Sequence, residues 1–172
     1  MKLRIGTLVA ATMLSLTACG SISYADWAAK VDGLEEHKYA KATLVSFKET
    51  ETGEDPVEVS NLSFTWNDDY GMFVPDSEEG YNFYVYVNIT AKLVKAQFDN
   101  YTEEQLKSFS FGSDLSVSAK DSVSEQGASY SAEIKYEFDK YGYLTYGLEK
   151  EEVSYQGQSM SGSMEFKVSY SD

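Results

Sequence analysis

Few of the residue types that do chemistry occur here in a pattern that supports it. His37 is the sole histidine among 172 residues and stands between Glu36 and Lys38. A triad or a metal site would depend on that one imidazole, at a charged helix end where solvent exposure is expected. The stretch GQSMSG, Gly157 to Gly162, approaches the G-x-S-x-G nucleophile elbow, but Ser161 stands where the second glycine must be. The elbow also needs a strand-to-helix turn, whereas a strand follows here, so the stretch reads as a hairpin loop.

Carboxylates are plentiful. Glu35–Glu36, Glu78–Glu79, Glu103–Glu104 and Glu151–Glu152 have the chemistry of general acids and bases, yet with 28 acidic residues adjacent pairs arise by chance. On a strand, neighbours also point to opposite faces. NDDYGMFVPDSEEG, residues 67–80, gathers Asp68, Asp69, Asp76, Glu78 and Glu79 without the spacing of an EF-hand. A solvated loop is expected, with Met72 and Phe73 inside it either folding back as a lid or joining the acids Asp68, Asp69, Glu78 and Glu79 in contact with a partner. No catalytic residue, metal site or cofactor is expected. Fourteen tyrosines remain. Tyr84 and Tyr86 fall on the polar side of a long apolar run, and Tyr141, Tyr143 and Tyr146 cluster at a turn. Such rows serve as carbohydrate- or protein-binding surfaces, or simply pair across a sheet.

Strands dominate the elements that must position these groups. In ASYSAEIKYEF the even positions Tyr130, Ile134, Tyr136 and Phe138 are apolar or aromatic with Ala128 and Ala132, and polar residues alternate with them. The last segment alternates likewise, Met160, Met164, Phe166, Val168 and Tyr170 sharing a face with Gly162. Residues 144–155 lie between, entered through the turn DKYG, and further strands are expected near 39–50, 57–67 and 114–121. YNFYVYVNITAKLVKAQF, residues 81–98, reads as the longest strand of all. Its apolar phase changes near Leu93–Val94, predicting a β-bulge, and similar slips occur at Leu44–Val45 and between Val59 and Leu62. Ser23 caps a predicted helix over 24–36, which Gly33 weakens, and Thr102 with Gln105 forms a capping-box pattern over TEEQLK.

The single cysteine has a distinct setting. Lys2 and Arg4 precede an uncharged run from Ile5 to Ala18, shorter than the roughly 20 apolar residues that span a bilayer. Leu16, Thr17 and Ala18 then lead into Cys19. This resembles the bacterial lipobox. The resemblance implies diacylglyceryl modification of Cys19, cleavage before it, and a domain held on the outer side of a cell membrane by acyl chains. Residues 1–18 would be signal peptide, 19–24 a lipidated tether and 25–172 one β-rich domain. No thiol would remain for a disulfide or a metal. Cleavage removes Lys2 and Arg4, leaving 12 basic residues, all lysine, against 28 acidic ones, a net charge of −16. Nucleic acid is excluded as a partner, and a basic protein is admitted as one.

Long, bulged strands joined in sequence favour a mainly β fold with one N-terminal and one short helix: an antiparallel, strongly curved meander forming a half-barrel or incomplete barrel, with the 24–36 helix or the 102–107 turn against its concave face. Residues 137–170 are similar in strand length, turn placement and aromatic rhythm to bacterial lipoproteins with a lipoprotein-carrier (LolA/LppX-like) half-barrel. That likeness implies an apolar pocket for a lipid or other hydrophobic ligand, lined by Tyr130, Ile134, Tyr136, Phe138, Met160, Met164, Phe166 and Val168. A rival likeness, EEGYNFYVYVNITAKL to Ig-like domains of surface lipoproteins, implies a β-sandwich acting as a protein- or glycan-binding module.

Overall fold

The computed structural model describes residues 21–125 and 127–172. Cys19 and the lipobox-like stretch expected before it lie outside them. Nine strands form one antiparallel sheet: β1 (Ser21–Ile22), β2 (Lys41–Glu51), β3 (Val57–Asn67), β4 (Met72–Pro75), β5 (Phe109–Gly112), β6 (Val117–Glu125), β7 (Ala128–Phe138), β8 (Leu144–Tyr155) and β9 (Gln158–Ser171). Their order is β1-β5-β6-β7-β8-β9-β2-β3-β4, and the sheet does not close. Side chains from β5 near one edge and from β3 and β4 at the other share one hydrophobic core, which requires the sheet to curve around that core. The incomplete barrel is therefore the architecture, and the two-sheet Ig-like sandwich is excluded.

The strand expectations over 128–138, 144–155 and 57–67 match to the residue, and those near 39–50 and 160–170 to within two. The strand placed at 114–121 starts and ends later. The slip at Leu44–Val45 is a bulge in the β2–β9 pairing, between Leu44 and Ser46. Opposite it on β3, Asn61 takes a left-handed φ of 57°, so β2 and β3 stay in register. Ser23 accepts a hydrogen bond from the Asp26 N–H and starts α1 (Tyr24–Asp32), which stops at Gly33, four residues short of the expected end. Ser21 to Tyr24, expected as a tether, is built into the fold: β1 pairs with β5, and Tyr24 opens α1.

Residues 81–98 are not a strand. They form the end of a 3-10 turn (Glu78–Asn82), α2 (Tyr84–Val87) and α3 (Ala91–Phe98), followed by α4 (Glu103–Leu106) with the Thr102/Gln105 capping box. The expected bulge at Leu93–Val94 does not exist, and Tyr86 is buried in the core. Topology supplies the reason. β4 lies at one edge of the sheet and β5 next to the other, so the intervening chain must cross the concave face at an angle to the strands, where it has no ladder to join. A segment crossing there satisfies its backbone internally, as helix. The buried residues Phe83, Tyr86, Val87, Ala91, Val94 and Phe98 then fall at helical spacing and face the sheet.

Candidate functional site: the open half of the concave face

Pairing register sorts the side chains of the sheet into rows that run across the strands. On the concave face, Val117, Tyr136, Gly147, Phe166, Phe47 and Val59 form one row through β6, β7, β8, β9, β2 and β3. The helical segment covers it: the Tyr86 ring lies 4.8 Å from Phe166 and 5.0 Å from Phe47, and Phe83 lies 5.0 Å from Phe47. Gly147 allows this packing, since a Cβ there would stand 2.3 Å from the Phe166 ring. Toward the hairpin tips the same face continues, with Ala119, Ala132 and Ile134 still buried and exposure rising toward Val153 and Met160. Its next row is Ala119, Ile134, Glu149, Met164, Glu49 and Val57. Beyond it come Asp121, Ala132, Glu151, Gly162 and Glu51, and then Val123, Tyr130, Val153 and Met160. Met160 is 70% exposed, and Val153 and Tyr155 are 45% and 56% exposed.

The expected lining residues thus divide into two groups. Tyr136, Phe138, Phe166 and Val168 are buried under the helices as core. Tyr130 and Met160 lie on the open half, and Ile134 and Met164 at the boundary between the halves. The two halves carry one continuous face with different occupants.

Charge distinguishes the two faces of the sheet. On the convex face three acids pair with lysines, Glu58 with Lys48, Glu133 with Lys120 and Glu137 with Lys135, while Glu152 and Glu165 have no ion pair among the described residues. On the concave face, none of Glu49, Glu51, Asp121, Glu149 and Glu151 forms an ion pair among the described residues. Glu149 accepts a hydrogen bond from the Tyr136 hydroxyl. Burial raises the Glu149 carboxyl above the usual range, Glu151 adds to the rise, and the Tyr136 bond opposes it. Burial together with the charges of Glu49 and Glu149 pushes Tyr86 up to about 12. Burial and the charges of Glu151 and Asp121 also raise Tyr130. Sequence reasoning missed these acids as a group. Glu49 and Glu51 continue the phase of Phe47, and Glu151 points to the face opposite Glu152, but only the register brings them together.

The remaining candidate residues serve the fold. Met72 and Phe73 are not in a loop; they begin the edge strand β4, and Phe73 is fully buried, 5.2 Å from the Trp66 ring and 5.6 Å from Tyr170. The reading of Phe73 as a lid or partner contact is corrected accordingly. Asp68 pairs with Lys38 and accepts from the Trp66 indole at 3.1 Å, while Asp69 is exposed. Glu78 and Glu79 open the 3-10 turn and are exposed. His37 was expected on the open surface, but its side chain is only 25% exposed: the ring stacks on Tyr141 at 4.1 Å and Nε2 lies 2.9 Å from the Asp172 carboxylate. Tyr141 and Tyr143 pack with Tyr39 and Tyr170 at the end of the sheet away from the open face, whereas Tyr146 lies under Lys135. Among the described residues no group of His, Cys, Asp and Glu is arranged to hold a metal ion, and no helix is long and apolar enough to cross a membrane. No protein-family model, curated protein or solved structure matches the chain.

Proposed function

We propose that this chain is a lipid-anchored protein of the bacterial cell envelope whose extracytoplasmic domain is a non-enzymatic binding module, taking an amphiphilic ligand on the open half of its concave face. The observation that carries the reading is the row of half-buried Tyr130 and exposed Val153 and Met160 on the face whose other half buries Tyr136 and Phe166 under helices. A strip of that kind next to water is where an apolar partner gains most from contact. The helices fill the covered half, so the ligand lies along the sheet rather than inside a closed barrel. The lipobox at Leu16 to Cys19 supports the anchor.

Two experiments test the parts separately. Cells producing the full-length chain and fed an alkyne fatty acid should label it, and Cys19→Ser should abolish the label; a labelled Cys19→Ser protein removes the anchor from the reading. Titration of the Cys19→Ser chain with dodecylphosphocholine below its micelle concentration should shift the Val153 and Met160 methyl resonances and leave Leu144 and Val168 in place. Unmoved Val153 and Met160 signals would overturn the site.

A further inference from the structure

We infer that the occupant of the open concave face is a basic amphipathic helix of a partner protein, laid across the strands. This rests on the concave face being the binding surface. Two observations select the occupant. The first is charge complementarity: the apolar row of Tyr130, Val153 and Met160 runs beside Glu51, Glu151 and Asp121, which have no cationic partner among the described residues, while on the convex face Glu58, Glu133 and Glu137 are paired with lysines. A carboxylate beside an apolar strip is best matched by a ligand that brings cations and apolar groups together. A second copy of this chain, itself strongly acidic, is repelled from it.

The second is spacing and continuity. Glu51, Glu151 and Asp121 stand on β2, β8 and β6, every second strand, so their backbones are about 10 Å apart. Gly162 and Ala132 occupy the strands between and leave the floor low. Lysines seven residues apart on a helix rise by about 10.5 Å, the same repeat. The fold already lays helices across the other half of this face, with Tyr86 and Phe83 set into its aromatic rows. A partner helix would extend that layer over the remaining rows.

The test uses the full-length Cys19→Ser chain and two 21-residue peptides, a leucine/lysine helix with lysine at seven-residue spacing and its leucine/glutamate counterpart. Calorimetry should show binding of the lysine peptide alone. The triple change Glu51→Gln, Glu151→Gln, Asp121→Asn should weaken it at least tenfold. Gly162→Lys should do the same by placing a cation in the acidic row; a Cβ there meets nothing closer than the Thr50 carbonyl at 3.9 Å, so no backbone clash opposes the new side chain. A control triple on the convex face, Glu133→Gln, Glu152→Gln, Glu165→Gln, should stay within twofold. Equal loss in the control would reduce the effect to net charge and overturn the inference, as would equal binding of the two peptides. Shifts from dodecylphosphocholine at Val153 and Met160 without lysine-peptide binding would overturn the helix and keep the site. Absence of both would remove site and helix together.

Discussion

The side-chain amide of Asn88 brackets the backbone of Phe73: Oδ1 accepts from the Phe73 N–H at 2.8 Å and Nδ2 donates to the Phe73 carbonyl at 2.9 Å. Nδ2 also donates to the Tyr84 carbonyl at 2.8 Å, so one residue ties the edge strand β4 to α2. It stands in for the missing next strand on that edge. Asn88→Ala leaves part-buried backbone groups unpaired, and a loss of about 2–4 kcal/mol is expected by urea denaturation. Faster hydrogen exchange at the Phe73 amide should accompany it.

Glu149 makes stability depend on pH. Its carboxyl is raised chiefly by burial, so the fold favours the protonated form. The stability this contributes is complete below the ordinary glutamate range and is lost as pH rises through the raised value. Glu149→Gln keeps an acceptor for Tyr136 and removes the charge. Thermal unfolding should show a higher Tm than wild type at pH 7 and an equal one at pH 3.

Two glycines of β8 and β9 should respond in opposite directions. At Gly147 an added Cβ meets the Phe166 ring, so Gly147→Ala should destabilise by about 1–3 kcal/mol. At Gly162 an added Cβ meets only the Thr50 carbonyl oxygen, at an ordinary 3.9 Å, and Gly162→Ala should be neutral or stabilising by up to about 1 kcal/mol, because a strand glycine costs more backbone entropy than alanine. Denaturant midpoints with unchanged slopes would establish both.

Trp27 anchors α1. It is fully buried among Tyr24, Phe98 and Phe111, and its indole N–H donates to the Leu115 carbonyl at 2.9 Å. Trp27→Ala should cost about 3–5 kcal/mol, read by circular dichroism against denaturant. The remaining tryptophan, Trp66, would report whether the β3–β4 edge unfolds with α1 or after it.

A structural register can hide inside a legible pattern, and residues 81–98 show how. Tyr81, Phe83, Val85 and Val87 alternate as a strand does, while Phe83, Tyr86, Val87, Ala91, Val94 and Phe98 are spaced as a helix. Both periods are present, and local propensity favours the wrong one. What decides is that β4 and β5 lie far apart in the sheet.

What the sequence by itself determined is what depends on near neighbours. The strands over 128–138 and 144–155, the bulge beside Val45, and the caps at Ser23 and Thr102 each follow from side chains a few positions apart, since period, phase and capping are local. Tertiary structure alone decided that 81–98 crosses the sheet as helix, that Phe73 is core, and that Glu51, Glu151 and Asp121 share one row beside Tyr130, Val153 and Met160. The acids of that row are as much as 100 residues apart and meet only through pairing across five strands. No local pattern carries that information, because register is a property of the assembled sheet.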